Sequence, residues 1–457
     1  MTRSKRYQSR YKRRTARSSG SGAGKLVAAV VAAIMLVAVL VAGFVYWDQI
    51  LDFSVKLLSA TTPTPLPTPV PTPDPTPVSP TQAPTPTPTP EITPEPTPTP
   101  IPPVTTITIS AVGDIMCHQS QLDDAYVAAS GEYDFTGSFT DIAPYISAAD
   151  LAIANLETTI SGKDQQYTGY PNFNSPKSLL TALKQAGFDV LTTANEHIFD
   201  RKWYGVEQTI ANIKAEGMAC TGTFLSRDEY YEPLVVDVNG VKVAILAYTD
   251  LLSANSKDIP DEKMNFCIKM LNIKTVRKDI ELSREKGADI VIVSVHWGDE
   301  YSRKATSEDR ATAEDIIKAG ADVILGSHPH VLQTITYRDF EQDAGGTKKC
   351  AVVYSLGNFL SAQTGQYKDS GMVVNLTFDK DNQTNKVTLK EVTYLPTWVY
   401  ISDADKKEYR ILPVGKYLDD STLLGQLADK FRTRLTEVWK ETTDLIGSDA
   451  ATAVRGS

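Results

Sequence analysis

Side chains that bind divalent metals recur where apolar segments of this sequence end. Four of the five histidines occur at such places, together with carboxylate and amide side chains. Imidazole nitrogen and carboxylate oxygen are common donors to divalent transition metals, and this mixture fits Mn, Zn or Fe better than Ca or Mg. We therefore predict a metal site drawn from Asp114, Asn155, Glu157, Asn195, His197, His296, His328 and His330.

Each of these residues also has an ordinary structural explanation. A histidine after a strand can be a hydrogen-bonded loop residue, and Gly113-Asp114, Asn155 and Asn195 can belong to turns. The fifth histidine, His118, is expected to be a solvated loop residue. The metal interpretation is favoured because the residues are concentrated. In addition, His328-Pro329-His330 on an extended segment would direct both imidazole rings to one side.

Four short repeats mark strands that would carry these residues. In each repeat an aspartate opens an apolar run, and the polar side chains follow after about one strand length. Residues 107–114 resemble a fifth such strand. Helix-capping residues occur between the runs, which predicts α/β units with ligands gathered beyond the carboxyl ends of the strands. The repeats are Ala149-Asp150-Leu151, Phe188-Asp189-Val190, Ala288-Asp289-Ile290 and Ala321-Asp322-Val323.

Two hairpins and a C-terminal helix are also predicted. Asn239-Gly240 lies between two apolar runs and is a strong hairpin signal, and the polar residues 379–386 join two further strands. We assign both hairpins to the second sheet of a sandwich. Residues 421–446 have apolar side chains at helical spacing, which predicts one helix that docks on the domain, with a partner-binding helix as the alternative.

The N-terminal residues differ in charge from the rest of the chain. Residues 1–25 contain nine basic and no acidic side chains, so a net charge of −9 overall leaves −18 for the other residues. Residues 26–47 carry no charge and are long enough to span a bilayer as a helix. They predict an uncleaved anchor rather than a signal peptide, with the basic side in the cytoplasm. A nucleic-acid-binding arm is the disfavoured alternative for the basic run, because that run adjoins the apolar segment.

A Thr-Pro repeat follows the apolar segment. Nineteen of the 27 prolines lie within residues 61–103. Proline at alternate positions removes backbone donors and fixes φ, so this repeat favours polyproline II over helix or sheet. We predict a semi-rigid stalk over residues 48–103 that holds the following domain away from the bilayer.

Six motifs occur in order along residues 104–400. They are Gly113-Asp114-Ile115-Met116, Asn155-Leu156-Glu157, Ala194-Asn195-Glu196-His197 with Asp200, His296-Trp297-Gly298-Asp299-Glu300-Tyr301, Gly326-Ser327-His328-Pro329-His330-Val331 and Ser355-Leu356-Gly357-Asn358-Phe359. Together they resemble the motifs of the CapA family of poly-γ-glutamate capsule synthesis proteins. That family is similar to the calcineurin-like metallophosphoesterases, so the resemblance implies a four-layer α/β/β/α sandwich with two divalent metal ions at the strand ends.

The same resemblance implies a role for each residue. Glu157 would bind both metal ions, and His197 would act as the catalytic acid or as a donor to a developing oxyanion. Glu300 would orient a ligand histidine. The implied metal ligands are Asp114, Glu157, Glu196, His296, His328 and His330. Residues expected to orient these ligands or to contact substrate are Asn155, Asn195, Asp200, Glu300 and Asn358.

Two residues depart from the expected patterns. The CapA pattern has asparagine where this chain has Glu196, whose additional negative charge would repel a phosphate dianion. The phosphoesterases have histidine at the position of Met116, so the first metal would have fewer ligands here. Metal binding is therefore expected, while phosphoesterase activity is left open.

Two further groups of residues leave alternatives open. Three aromatic residues near the predicted site would either flank a polymer groove or pack in the core: Trp297, Tyr301 and Phe359. Four cysteines would lie outside the membrane, where disulfides can form in three possible complete pairings: Cys117, Cys220, Cys267 and Cys350.

The predicted protein is a single-pass protein of the bacterial cell membrane with an extracytoplasmic main domain. Its segments are a cytoplasmic tail (1–25), a transmembrane helix (26–47), a stalk (48–103), a CapA-type domain (104–400) and a C-terminal helical extension (401–457).

Three functions fit this organisation. The first is a capsule protein that acts with polyglutamate ligase and export subunits on an anionic polymer such as poly-γ-glutamate. The second is a metal-dependent hydrolase that cuts a phosphoester or an amide in envelope polymers, and the third is a non-catalytic module that grips an anionic polymer through bound metal. Acidic residues outnumber basic ones, and a nucleic-acid partner is not expected.

Overall fold

The computed structural model describes residues 102–447 and 450–456. The predicted tail, transmembrane helix and all but the last two residues of the stalk lie outside these ranges. Among the described helices, none has both the length and the apolar composition needed to cross a bilayer. The predicted location in the bacterial cell membrane therefore has no support among the described helices.

Strands and helices alternate along the described chain. The strands are β1 Val104–Ile115, β2 Tyr126–Val127, β3 Glu132–Tyr133, β4 Leu151–Leu156, β5 Val190–Thr192, β6 Ala219–Thr221, β7 Leu234–Val238, β8 Val241–Thr249, β9 Ile290–His296, β10 Val323–Ser327, β11 Ile335–Glu341, β12 Thr347–Val353, β13 Asn358–Leu360, β14 Ser370–Asp381, β15 Val387–Ile401, β16 Tyr409–Pro413 and β17 Thr452–Ala453. The α-helices are α1 Gln119–Ala125, α2 Thr136–Phe139, α3 Ala143–Ile146, α4 Ser178–Ala186, α5 Lys202–Ala215, α6 Arg227–Tyr231, α7 Asp261–Met264, α8 Ile273–Glu285, α9 Ser307–Lys318, α10 Val414–Asp419, α11 Ser421–Gly425 and α12 Asp429–Ile446. Short 3-10 helices are Lys163–Gln165, Glu196–Phe199 and Ala254–Asp258.

Two large mixed sheets contain most of these strands. The nine-stranded sheet has the order β16-β15-β14-β1-β4-β5-β6, with β13 paired to β1 and β17 paired to β15. The six-stranded sheet has the order β11-β12-β10-β9-β8-β7. Strands β1, β4, β5 and β6 are mutually parallel, and so are β8, β9, β10 and β12. The predicted mixed α/β fold is confirmed, and the strand predicted before each metal-ligand candidate is present.

The two sheets pack face to face, and helices cover their outer faces. Alternate residues of β1 show the arrangement, because successive side chains of a strand point to opposite faces. Ile107, Ile109 and Ala111 share one buried cluster with β8, β9, β10 and β12. Val112 and Ile115 instead pack with helices α1 to α4. Helices α8 and α9 cover the outer face of the six-stranded sheet, which gives a helix, sheet, sheet, helix order.

The four aspartate repeats tie parallel strands together at the end opposite to the predicted site. Each aspartate precedes a strand, and its carboxylate accepts a hydrogen bond from a backbone N–H of the neighbouring parallel strand. The N–H of the aspartate donates to the carbonyl of that same neighbouring residue. The N–H donors to the carboxylates are Thr108 to Asp150 at 2.8 Å, Ala152 to Asp189 at 3.1 Å, Lys242 to Asp289 at 2.9 Å and Val291 to Asp322 at 2.7 Å.

Both predicted hairpins exist, but in different sheets. Asn239 and Gly240, with φ of 54° and 81°, connect β7 to β8 in the six-stranded sheet, as their positive φ values allow. The polar stretch 379–386 lies between β14 and β15, which belong to the nine-stranded sheet. The assignment of both hairpins to the second sheet is therefore wrong, because β14 pairs with β1 rather than with the neighbours of β8.

The C-terminal residues add a strand as well as helices. β16 pairs with β15, although it falls in the segment predicted as a helical extension. The single helix predicted over residues 421–446 is two helices, because Ala428 is extended with ψ of 154° and interrupts the helical path. Leu423 and Leu435, on either side of that break, pack around the same cluster beside Trp398, which explains why the apolar spacing continues through it.

All four cysteines are free, and Cys117, Cys267 and Cys350 are buried. Burial raises the pKa of each of these three thiols to about 12. They are therefore packed as protonated thiols, as is usual for cysteines in a core.

Candidate metal centre

Asp114 lies near the end of β1, where the strand pairing is irregular. The register between β1 and β4 shifts between Val112 and Asp114, and such a bulge redirects a side chain. Gly113 permits it, because a Cβ at that position would lie 2.0 Å from the Gly357 carbonyl oxygen. The Asp114 N–H donates to the same carbonyl at 3.0 Å. The buried carboxylate is thereby aimed at His330, whose Nδ1 is 3.0 Å from Asp114 Oδ2.

The end of β4 contributes Asn155 and Glu157. Asn155 Nδ2 donates to Asp114 Oδ1 at 2.9 Å and lies 3.3 Å from Glu157 Oε2. Asn195, which follows β5, donates to Asn155 Oδ1 at 3.2 Å and to the Leu156 carbonyl at 2.8 Å. The two amides thus form a hydrogen-bonded chain that orients both carboxylates.

Glu196 meets two histidines that come from the other sheet. Its Oε2 is 2.5 Å from His296 Nε2, and its Oε1 is 3.0 Å from His328 Nδ1. His296 ends β9 and His328 directly follows β10, whereas Glu196 follows β5. The candidate ligands therefore converge from the carboxyl ends of parallel strands in both sheets.

The two histidines after β10 are brought together by an unusual backbone. His328 and His330 have φ of 95° and 56°, so the segment is a turn and not the extended stretch that was predicted. Their ring centroids lie 5.8 Å apart. Left-handed backbone at residues other than glycine is strained and concentrates at functional sites, where surrounding contacts hold it. One such contact is the hydrogen bond of 2.7 Å that the Tyr301 N–H donates to the carbonyl of Pro329, which lies between the two histidines.

Several buried nitrogen and oxygen atoms in this cluster form no aligned hydrogen bond. His296 Nε2 and Glu196 Oε2 are close, but their contact lacks hydrogen-bond alignment. An unpaired buried polar atom costs about 1–3 kcal/mol, which a bound cation would offset. The atoms are Glu157 Oε1, Asn195 Oδ1, Glu196 Oε2, His296 Nε2 and His328 Nδ1.

The candidate ligands form three overlapping groups. Within each group the possible ligand atoms lie within 4.8 Å of one another. The groups are Asp114 with Glu157 and His296, Glu196 with His296 and His328, and Glu157 with Glu196 and His197. Mixed imidazole and carboxylate donors at this spacing fit divalent metal ions.

The ionisation of the carboxylates is uneven. Burial, together with the charges of Asp114 and Glu196, raises the pKa of Glu157 well above its ordinary value. Burial acts in the same direction on Glu196, but His296 and His328 outweigh it and hold the pKa of Glu196 well below its ordinary value. Burial is likewise outweighed at Asp114, whose pKa is lowered by His330. A cation in this space would lower the pKa of Glu157 again, because its charge would offset both the burial and the neighbouring carboxylates.

His197 lies beside this cluster and is oriented by Asp200. His197 Nδ1 is 2.8 Å from Asp200 Oδ2, and the same oxygen accepts a hydrogen bond from the Phe173 N–H at 2.7 Å. The Phe173 ring packs edge-on against the imidazole at 4.7 Å. Burial opposes protonation of His197, but Asp200 outweighs it and raises the pKa of the imidazole. With Nδ1 engaged, Nε2 is the nitrogen left to exchange a proton with a substrate.

Two predicted supporting residues have other neighbours than expected. Glu300 was predicted to orient a ligand histidine, but it is exposed. Ser327 orients His296 instead, because its Oγ is 2.9 Å from His296 Nδ1. Asn358 pairs with Asp114 through the backbone, but its Nδ2 donates to the Lys368 carbonyl at 2.8 Å and to Gln363 at 3.1 Å. Ser327 was missed because serine is common in loops, although its place directly before His328 was a usable signal.

Met116 and His118, which follow Asp114 in sequence, supply no further ligand to the cluster. Met116 is buried and supplies no imidazole. His118 is partly buried rather than solvated, because its Nδ1 accepts from the Ala362 N–H at 3.3 Å and its ring packs edge-on against Phe173 at 5.2 Å. Burial lowers the pKa of His118 to about 4, so this imidazole is neutral.

Several known proteins are similar to this chain. The capsule biosynthesis protein CapA of Bacillus anthracis is 30% identical over 277 residues, which cover 58% of this chain and 63% of that protein. The PGA biosynthesis protein CapA of Bacillus subtilis is 28% identical over 278 residues, which cover 58% and 67%. The chain thus matches less than two thirds of the length of the Bacillus anthracis relative.

Two solved structures were also found to be similar. A novel phosphatase from Mycoplasma pneumoniae has a TM-score of 0.39 and 19% identity, over 64% of this chain and 94% of that chain. The calcineurin-like phosphoesterase YfkN of Bacillus subtilis has a TM-score of 0.39 and 14% identity, over 64% and 91%.

The family match covers the whole candidate metal centre. A sequence model described as bacterial capsule synthesis protein PGA_cap matches residues 108–363, more than half of the chain and every ligand candidate from Asp114 to His330. The chain therefore belongs to the PGA_cap family of bacterial capsule synthesis proteins.

Proposed function

We propose that this chain hydrolyses backbone amide bonds of an anionic capsule-type polymer such as poly-γ-glutamate, with two divalent ions (Mn, Zn or Fe) at the candidate centre. It would act with polyglutamate ligase or export subunits. The observation that carries the proposal is the set of buried nitrogen and oxygen atoms, without aligned hydrogen bonds, that Glu157, Glu196, His296 and His328 direct into one space. Family membership supports the choice of polymer.

The residues would divide the reaction between them. Bound divalent ions would lower the pKa of water and polarise the substrate carbonyl. Hydrolysis adds hydroxyl to the carbonyl carbon, breaks the carbon–nitrogen bond and leaves a proton on the departing nitrogen. His197 is placed to supply that proton from Nε2, because Asp200 holds Nδ1 at 2.8 Å. Asn155 would keep Asp114 and Glu157 oriented throughout.

An amide fits this centre better than a phosphomonoester. The cluster contains three carboxylates, those of Asp114, Glu157 and Glu196, against three imidazoles. A phosphate dianion would add two negative charges beside them, whereas an amide carbonyl is neutral. The extra carboxylate of Glu196 thus favours a substrate whose reacting group carries no charge.

The test is turnover by the full chain loaded separately with Mn²⁺, Zn²⁺ or Fe²⁺. γ-Glutamyl oligomers and a generic phosphodiester are incubated with it, and chain shortening or ester release is measured. We expect oligomer shortening that chelator abolishes and that falls at least about 100-fold in His197→Ala, the scale of lost general acid catalysis. Asp114→Asn should lose activity, while Asp150→Asn, a matched change at the opposite end of the sheet, should retain it.

The other outcomes would replace this proposal. Phosphodiester release without oligomer shortening would indicate a phosphoesterase. Chelator-sensitive binding of oligomers without turnover would indicate a non-catalytic polymer-binding module. Turnover that survives chelator and His197→Ala would show that the centre has no part in the reaction.

A further inference from the structure

One tyrosine stands at the opening of the candidate metal centre. Tyr301 has a φ of 63°, and its N–H donates at 2.7 Å to the carbonyl of Pro329, the residue between the two ligand histidines. Its ring centroid is 6.2 Å from that of His330, yet the side chain is 43% exposed. The neighbouring aromatic residues Trp297 and Phe359 are buried. Tyr301 alone of these three therefore faces solvent beside the centre.

A lysine ammonium lies on the face of this tyrosine. Lys368 Nζ is 3.6 Å from the Tyr301 ring centroid. Together with the tyrosine–histidine distance, this places the ammonium within about 10 Å of the His330 ring, one Debye length at 0.1 M salt. Within the described residues Lys368 forms no ion pair with a carboxylate. Its neighbour Asp369 is instead bound by Arg434 through two hydrogen bonds of 2.9 and 2.8 Å.

The loop that carries Lys368 is tied to the centre by Asn358. Asn358 Nδ2 donates to the Lys368 carbonyl at 2.8 Å and to Gln363 Oε1 at 3.1 Å, and Asn358 itself pairs with Asp114 through the backbone. Gln363 Nε2 in turn approaches the Tyr301 hydroxyl at 3.5 Å. The backbone at Lys368 is thus held by the strand that also pairs with Asp114, while the ring of Tyr301 contacts the ammonium.

We propose that Lys368, held on the ring of Tyr301, binds a free carboxylate of the substrate residue next to the bond that is cleaved; this inference rests on the proposed function. The carboxylates inside the centre would repel an acidic polymer wherever bound cations do not balance them. The Lys368 ammonium, which has no carboxylate partner among the described residues, supplies attraction at the opening itself. It selects polymers that carry an anionic group beside each backbone amide.

Binding of fluorescent γ-glutamyl oligomers to the metal-loaded full chain tests this assignment, with fluorescence anisotropy as the readout. Two probes are compared, one with free α-carboxylates and one with the same carboxylates amidated. Lys368→Ala should weaken binding of the free-acid probe about tenfold, the scale of one charge-assisted hydrogen bond, and leave binding of the amidated probe unchanged. Lys368→Arg should bind within about threefold of wild type, and added salt should shrink the difference.

The matched control is Lys349→Ala. Lys349 Nζ lies 5.1 Å from the Tyr337 ring centroid, a similar ammonium–aromatic pair in the strands β12 and β11, and its loss should leave both affinities unchanged. Equal affinity of wild type and Lys368→Ala for the free-acid probe would overturn the role of Lys368 while leaving the proposed function standing. Failure of wild type to bind either probe would instead count against the proposed function itself. A uniform loss with both probes would mean that Lys368 only maintains the loop.

Discussion

Glu196 adds a carboxylate to the candidate centre between two imidazoles. It lies between His296 and His328, where the family pattern has a neutral amide, and it remains ionised because the two imidazoles outweigh its burial. A carboxylate binds a divalent cation more strongly than an amide oxygen does, at the expense of repelling an anionic substrate. Glu300, four residues after His296 in sequence, is exposed and lies outside the ligand cluster.

Glu196→Gln should weaken divalent metal binding. The amide keeps the size of the side chain but removes its charge, so we expect at least a tenfold loss of affinity in calorimetric titrations with Mn²⁺ or Zn²⁺. Glu300→Gln removes a nearby carboxylate that lies outside the ligand cluster, and it should change the affinity less than about threefold. Equal losses in the two variants would mean that Glu196 acts only through the general field of the site.

His118 should make the metal-free protein sensitive to acid. Burial lowers the pKa of its imidazole from 6.5 to about 4. Between these two pH values the unfolded chain binds a proton at His118 and the folded chain does not. Stability from this residue is complete above pH 6.5 and is lost as pH falls toward 4, by up to about 3 kcal/mol. We expect His118→Gln to flatten the pH dependence of the free energy of unfolding, measured by urea titration in chelator. Parallel curves for wild type and variant would contradict this assignment.

At the scale of the element, one end of the parallel strands carries the candidate ligands and the other end carries hydrogen bonds between strands. The carboxyl ends of β1, β4, β9 and β10 lead into the candidate ligands, while the amino ends are joined by the aspartate repeats. Stability and chemistry are thus separated by the length of a strand. Among the repeats, Asp322 is 2% exposed and also pairs with Arg284 at 2.6 Å and with Lys348, whereas Asp150 is exposed.

Asp322→Ala should destabilise the protein without affecting the metal centre. The substitution leaves the Val291 N–H without its side-chain acceptor and leaves Arg284 and Lys348 without their carboxylate partner. We therefore expect a loss of about 2–3 kcal/mol in the free energy of unfolding. Asp150→Ala removes the same type of strand-start acceptor at an exposed place and should cost less than about 1 kcal/mol. Urea unfolding and metal titration of both variants test this. A changed metal affinity in Asp322→Ala would show that the two strand ends are coupled.

For the described domain as a whole, the C-terminal helix α12 connects the sheet to the loop at the site opening. Arg434 on α12 binds Asp369 and also approaches Glu441 Oε2 at 3.1 Å, and Asp369 accepts a further hydrogen bond from Trp398 at 2.9 Å. Leu435 and Val438 dock the same helix on the cluster around Trp398. The helix therefore braces the segment that carries Lys368.

Arg434→Ala should loosen that segment. Its guanidinium and the Asp369 carboxylate are 18% and 15% exposed, so we expect a loss of about 1–3 kcal/mol in stability and faster hydrogen exchange in residues 363–369. Lys440→Ala is the matched control on the same helix, because its pair with Asp444 is 73% and 62% exposed and should contribute less than about 0.5 kcal/mol. Unchanged exchange in Arg434→Ala would mean that other contacts of the loop, such as those of Asn358 and Trp398, hold it without Arg434.

Much of the local structure could be predicted because it depends on neighbours in sequence. Asn239-Gly240 forms a hairpin through its own positive φ values, and Thr306 with Asp309 caps α9 by reciprocal hydrogen bonds within one turn. The predictions that failed depended on distant partners. The orientation of His296 by Ser327 and the membership of β14 in the sheet of β1 follow from contacts that no local pattern records.

The sequence by itself determined that a strand precedes each candidate ligand, which chemical groups follow these strands and which family the chain belongs to, because these depend on residue type and on order along the chain. Only the tertiary structure decided how these groups meet. The bulge at Gly113, the left-handed backbone of His328 and His330, and the approach of Lys368 to Tyr301 each require surfaces far apart in sequence to pack together. Burial then set the ionisation of Glu157, since the cost of a buried charge depends on the charges packed around it.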